Sequence, residues 1–180
     1  MEYVIRSATL DDRVMWADLR MQLWPHCSAS RHQTEIDQLL AGAALVAVAC
    51  CDGKLIGFAE MSIRADHVEG TARVPVPYLE GWYVAKAYRG RGAGRALLAF
   101  VERAAVGRGY SEMASDAEID NELSIRLHKE LGFREVGRSV HFVKPLTASL
   151  PNQSSDPTLA SGTSPAGQEA RPRYGGSPQR

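Results

Sequence analysis

The sequence predicts a mixed, twisted α/β sheet flanked by helices, on three observations. Two apolar runs, residues 43–51 and 55–63, are joined around Asp52 and Gly53, a strong hairpin signal. A strand, a glycine-rich turn, a helix and a strand follow one another over residues 76–115. That βαβ unit needs locally parallel strands, whereas the hairpin before it is antiparallel. Helical patterns with apolar faces stand before and after these strands.

Each element has its own local cause. Residues 3–8 read as a first strand. Thr9, followed by Asp11 and Asp12, opens a helix, because acids favour a helix N-terminus. Val14, Leu19, Leu23 and Trp24 recur near helical spacing, and Pro25 stops that helix. Residues 34–40 give a shorter helix before the hairpin. Val76, Tyr78, Leu79, Trp82, Tyr83 and Val84 mark a strand over 76–85. A helix over 93–108, a short strand over 111–115 and a helix over 121–131 follow. Residues 133–136 and 139–144 are expected to close the sheet as two strands. The expected order is β-α-α-β-β-β-α-β-α-β-β.

Beyond Leu146 the composition turns to Ser, Pro, Gly and Ala, with Tyr174 the only aromatic residue. Such a stretch cannot bury enough apolar surface to offset its ordering entropy. The expected organisation is a domain over residues 1–146 and a disordered tail over 147–180.

Composition excludes several classes. The 180 residues are 44% hydrophobic, ordinary for a protein with a real core, and formal net charge is zero. Nothing global argues for nucleic acid or an anionic membrane as partner. The N-terminus has no apolar signal-like region, and no apolar run is long enough to span a bilayer, so the expected place is the cytoplasm. Cys27, Cys50 and Cys51 have neither a disulfide framework nor a metal-ligand spacing, so no metal is expected.

The most informative stretch is Tyr88-Arg89-Gly90-Arg91-Gly92-Ala93-Gly94-Arg95, between a strand and an amphipathic helix. Gly92, Ala93 and Gly94 let an anion approach the backbone closely. The first amides of the helix lack intrahelical partners and, with the helix dipole, form a phosphate site. Arg89, Arg91 and Arg95 add positive charge. A Walker A loop would need Gly-Lys-Ser/Thr, and a dinucleotide fingerprint would need other glycine spacing; neither is present.

The Arg-x-x-Gly-x-Gly string over 89–94 resembles the acetyl-CoA pyrophosphate loop of the GNAT superfamily of N-acetyltransferases. Asn121, Ser124, His128, Gly132 and Phe133 are similar to a second pattern of that superfamily, with His128 in its tyrosine place. The resemblance covers residues 3–146. It implies a GNAT fold in which two parallel strands splay apart to receive the pantetheine arm. It also implies acetyl-CoA as co-substrate, direct transfer without a covalent acyl-enzyme, and a homodimer. Trp82, Tyr83 and Val84 would contact the acetyl-pantetheine arm, and a backbone N–H there would polarise the thioester carbonyl. Asn121 would serve the cofactor site beside its role as a helix N-cap.

The strings around Trp24, Glu80, Asp116 and His67 look like one branch of that superfamily, the chromosomal type of aminoglycoside 6'-N-acetyltransferase, which confers antibiotic resistance. In that branch the residues matching Trp24, Glu80 and Asp116 hold the drug. Two places depart from the branch. His67 stands where tyrosine is usual, and Gly137 where an acid is usual, so Glu135 is the candidate replacement.

The residues support a small cationic amine independently. Between Gly109 and Ile125 stand Glu112, Asp116, Glu118, Asp120 and Glu122, with no lysine or arginine. A locally acidic cleft suits a polycation. Glu80 interrupts an apolar strand, where acids are depleted. Glu80 is the candidate base for the substrate ammonium, directly or through water, and His128 or water could return a proton to the CoA thiolate. Two other readings stand beside this one. They are a GNAT enzyme for a polyamine, metabolite or protein amine, and a non-catalytic acyl-CoA sensor.

Overall fold

The hairpin signal is realised as β2 (Leu45–Cys51) and β3 (Lys54–Arg64), antiparallel and joined by Asp52 and Gly53 at φ 50° and 73°. Two successive left-handed residues are what a two-residue hairpin turn with matching twist requires. The computed structural model describes residues 2–146. Of these, 2–137 belong to one compact unit and 138–146 to another. The expected tail over 147–180 lies outside the described residues.

Strand β1 (Val4–Ser7) pairs antiparallel with β2, and β4 (Val76–Val84) pairs antiparallel with β3. The short β5 (Ala114–Ser115) pairs parallel with β4, giving a five-stranded mixed sheet in the order β1-β2-β3-β4-β5. A 3-10 turn over Leu10–Asp12 leads into α1 (Arg13–Leu23), with Thr9 and Asp12 forming a capping box. Arg6 donates to both oxygens of Asp12 at 2.6 and 2.7 Å, which ties β1 to this helix start and holds the Asp12 carboxyl below the usual range.

The second helix, α2 (Ala29–Ala41), is longer than expected because Ser28 caps it by accepting from the Arg31 amide. The helix after the glycine-rich turn is α3 (Ala93–Gly107), and α4 (Glu122–Glu130) follows an Asn121 cap. No described helix is long and apolar enough to cross a membrane.

Strand alternation divides the core. Ala47, Ala49 and Cys51 face α3 with Leu97, Leu98 and Val101, while Val46 and Val48 face α1 and α2 with Trp16, Ile36 and Phe58. The sheet is thus the middle layer of three.

The two closing strands are corrected: residues 133–136 and 139–144 carry no strand. A strand exists through its ladder of backbone bonds, and Phe133 directs its amide to the His128 carbonyl of α4 instead. Within 138–146 every residue is exposed, Phe142 and Val143 by more than nine-tenths.

Candidate active site

Strands β4 and β5 pair only at Tyr78–Ala114 and Leu79–Ser115. Beyond that point they part, and the next residue on each is an acid, Glu80 on one and Asp116 on the other. The register between β3 and β4 slips at the same place. Glu60 lies opposite Gly81 and Met61 opposite Leu79, so Glu80 is an extra residue without a counterpart. A bulge of this kind re-aims a side chain.

The re-aimed Glu80 carboxylate meets a residue that sequence reasoning left without a role. Arg64 donates from Nε to Oε1 at 2.9 Å and from Nη2 to Oε2 at 2.6 Å, and the Ser62 hydroxyl also donates to Oε1. Both lone pairs of Oε1 are thereby engaged, which leaves Oε2 as the oxygen with acceptor capacity to spare. The Arg64 guanidinium lies 3.3 Å from the Tyr78 ring centroid. Tyr78 is buried, which pushes its phenol upward, and the Asp116 charge pushes it further; its hydroxyl remains protonated and donates to Asp116. Glu80 and Asp116 are therefore linked through Arg64 and Tyr78.

Trp24 lies against the same strand, one residue further on. An added Cβ on Gly81 would lie 2.5 Å from Trp24 Cη2, so glycine is what lets the indole edge rest on the backbone next to Glu80. The other expected substrate residues, His67 and Glu135, make pairs of their own. His67 and Glu69 are exposed, with His67 Nε2 3.7 Å from Glu69. Their loop is pinned at one end by Glu112, whose Oε1 accepts from the Ala72 and Arg73 amides at 2.9 Å each. Gly70 abuts Val136 at the other end. Glu135 forms an ion pair with Lys129 at 2.8 Å.

The glycine-rich turn has the form an anion site needs. Gly92 caps α3 at φ 83°, a left-handed conformation that other residues rarely adopt, and the first helical bond runs from the Ala96 amide to the Gly92 carbonyl. The amides of Ala93, Gly94 and Arg95 precede it without intrahelical acceptors. Arg91 and Arg95 are exposed, whereas Arg89 turns back, donating to the Val84 carbonyl at 2.8 Å and lying 5.4 Å from the Tyr83 ring. Gly90 stands at φ 74° with open space around it. These donors fit a pyrophosphate.

Trp82 donates from its indole to the Gly94 carbonyl at 2.9 Å and meets His128 edge-on, with 5.9 Å between centroids. Both His128 nitrogens have partners: Nε2 lies 3.0 Å from Ser115 Oγ, and Nδ1 lies 2.8 Å from the Ser124 carbonyl. That carbonyl accepts only, so Nδ1 carries a proton. Asn121 accepts the Ser124 amide, its capping role. Among the described residues, no group of three or more His, Cys, Asp and Glu is placed to hold a metal.

The profile described as "Acetyltransferase (GNAT) family" matches residues 12–133. The chain belongs to the GNAT family of acetyltransferases.

Among curated GNAT relatives, an aminoglycoside N(6')-acetyltransferase type 1 of Stenotrophomonas maltophilia is 44% identical over 147 residues, 81% of this chain and 95% of that protein. A protein of the same name from Klebsiella aerogenes is 40% identical over 149 residues, covering 79% and 97%. The solved structure of AAC(6')-Iy in complex with a bisubstrate analog, CoA-S-monomethyl-acetylneamine, superposes with a TM-score of 0.77. It is 35% identical over 81% of this chain and 100% of that one. The splayed sheet and flanking helices are thus the GNAT fold.

Proposed function

We propose that this chain transfers the acetyl group of acetyl-CoA to the 6'-amino group of aminoglycosides, and that it confers resistance to those antibiotics. One observation carries the reading: an acidic pair, Glu80 and Asp116, stands where β4 and β5 part, one helix away from a glycine-rich anion loop. The identity of about 40% to aminoglycoside N(6')-acetyltransferases over most of both chains supports the same conclusion.

Acetyl-CoA supplies the acetyl group as a thioester: the new N–C bond forms, the C–S bond breaks, the ammonium has lost a proton and the thiolate gains one. The amides of Ala93, Gly94 and Arg95, with Arg91 and Arg95, bind the pyrophosphate. Trp82, Tyr83 and Val84 line the unpaired half of β4 for the pantetheine arm. Asp116 and Glu80 Oε2 receive the cationic rings, with Trp24 packing beside the sugar and His67 and Glu135 at the rim. Glu80 takes the ammonium proton, directly or through water, onto its carboxylate, which Arg64 and Ser62 hold in one orientation. His128 serves the thiolate end only by yielding its Ser115 contact, so water is the better proton donor there.

The enzyme works in the cytoplasm and forms a homodimer; the exposed apolar residues Val140, Phe142 and Val143 favour burial against another chain. The test is thiol release from acetyl-CoA across aminoglycosides, polyamines and peptides. Turnover confined to aminoglycosides supports the reading. Turnover of spermidine or a peptide alone leaves only an N-acetyltransferase, and no turnover with intact acetyl-CoA binding indicates a sensor.

A further inference from the structure

Beneath Trp24 lies a cluster of buried charge that the reaction does not use. Arg20 of α1, His32 of α2 and Glu60 of β3 are each at most 2% exposed. Taking ions out of water costs several kcal/mol each, and well-packed apolar residues often serve stability as well. The geometry points to another use.

Each nitrogen of the Arg20 guanidinium has an acceptor. Nη1 donates to Glu60 Oε2 at 2.7 Å, Nη2 to Glu35 Oε2, and Nε to His32 Nδ1 at 3.3 Å. Glu60 Oε1 accepts from the Trp16 indole at 2.7 Å. Because arginine can only donate, His32 Nδ1 must accept, which places the ring proton on Nε2. That nitrogen then donates to the Trp24 carbonyl at 3.3 Å.

These groups converge on one residue. The Trp24 amide donates to the Arg20 carbonyl at 2.7 Å. Arg20 Cζ lies 4.7 Å from the centroid of the indole, and the His32 ring stacks within 25° of its plane. The indole edge rests on Gly81, one residue from Glu80. Backbone and ring face of Trp24 are thus fixed from α1 and α2, and the ring edge from β4.

We propose that the Arg20–His32–Glu60 cluster, with Gly81 as its socket, is a positioning device that holds the Trp24 indole as a preformed wall for the sugar ring of the substrate. Arg20, His32 and Glu60 act through Trp24 and touch neither substrate nor acetyl-CoA. The inference rests on the reading above, in which Trp24 packs against the drug. It explains why the chain keeps ions in its core: a rigid wall costs less ordering on binding than a mobile one.

The test is a double-mutant cycle in the full-length protein, with KM and kcat for a 6'-amino aminoglycoside, KM for acetyl-CoA, and melting temperature. Trp24→Ala is expected to raise the drug KM about tenfold. Arg20→Met and Gly81→Ala are expected to raise it about five- to tenfold, with kcat and the acetyl-CoA KM nearly unchanged. Arg20→Lys, which keeps the charge and loses the fork, should fall between Arg20→Met and the parent. In the Trp24→Ala background, Arg20→Met and Gly81→Ala should add nothing further. If Arg20→Met does not fold, Gly81→Ala and Glu60→Gln carry the same comparison. Effects that persist without Trp24, or folded single variants with the parent drug KM, overturn the proposal. A normal drug KM in Trp24→Ala overturns the placement of Trp24 on the substrate, and the proposal with it.

Discussion

Replacing Gly92 by valine separates backbone strain from ligand binding. The residue stands at φ 83° as the cap of α3, and a Cβ there would lie 3.3 Å from the Tyr3 hydroxyl. Forcing an L-residue into the left-handed region costs about 1–2 kcal/mol, and a β-branched one more. In a domain of this size that lowers the melting temperature by roughly 3–8 °C. Gly53 supplies the control. It stands at φ 73° in the β2–β3 turn with open space around it, so Gly53→Val should carry a similar strain away from the loop. Only Gly92→Val adds a side chain where the α3 amides must meet the pyrophosphate. Its acetyl-CoA Kd, read by calorimetry, should rise more than about tenfold, or about 1.4 kcal/mol, while Gly53→Val keeps the parent value. Parent affinity in folded Gly92→Val, or an equal loss in Gly53→Val, would refute the assignment of the loop.

Other consequences are checked by standard assays. Asp116→Asn should weaken drug binding about 10- to 100-fold with acetyl-CoA binding intact, since a charge-assisted bond is worth about 1.5–3 kcal/mol. Glu80→Gln should lower kcat/KM further and flatten its pH dependence, as expected if Glu80 is the base. Burial pushes the Glu60 carboxyl up to about 7 from 4.5, against the pull of Arg20. The folded state therefore holds this proton more tightly than the unfolded chain, and the resulting stability is full below pH 4.5 and lost as pH rises through about 7. The depressed ionisation of His32 runs the other way but is common to both proteins compared. The melting temperature of the parent should thus fall relative to Glu60→Gln between pH 5 and 8; a constant difference contradicts this. Deleting residues 150–180 should leave melting temperature and activity nearly unchanged, and a large loss of either would show that the tail docks.

Features fixed by neighbours in sequence were legible; features fixed by register were not. Asp52-Gly53 encodes its own turn, and the 88–95 string encodes a helix start with bare amides, so the hairpin and that helix start were readable from residue type. The α2 start was missed although Ser28 carried the signal, because the apolar period begins only later in the helix. Arg64 stood in plain view, but its grip on Glu80 depends on a one-residue slip between β3 and β4, which no local pattern announces. Arg20 and Glu60 are 40 residues apart and meet only when α1 packs on the sheet. The two closing strands failed for the same reason: an alternating apolar pattern marks strand preference, while a strand needs a partner edge.

The central claim, acetyl transfer to a 6'-amine, is tested most directly with paired aminoglycosides that differ only in a 6'-amino or 6'-hydroxyl group. Thiol release and the position of the acetyl group in the product, read by NMR, are measured for each pair. The account predicts turnover of the 6'-amino members, with acetylation on that nitrogen, and no N-acetylation at that site in the 6'-hydroxyl members. Equal turnover of both members, or an acetyl group found on a different amine, would contradict it.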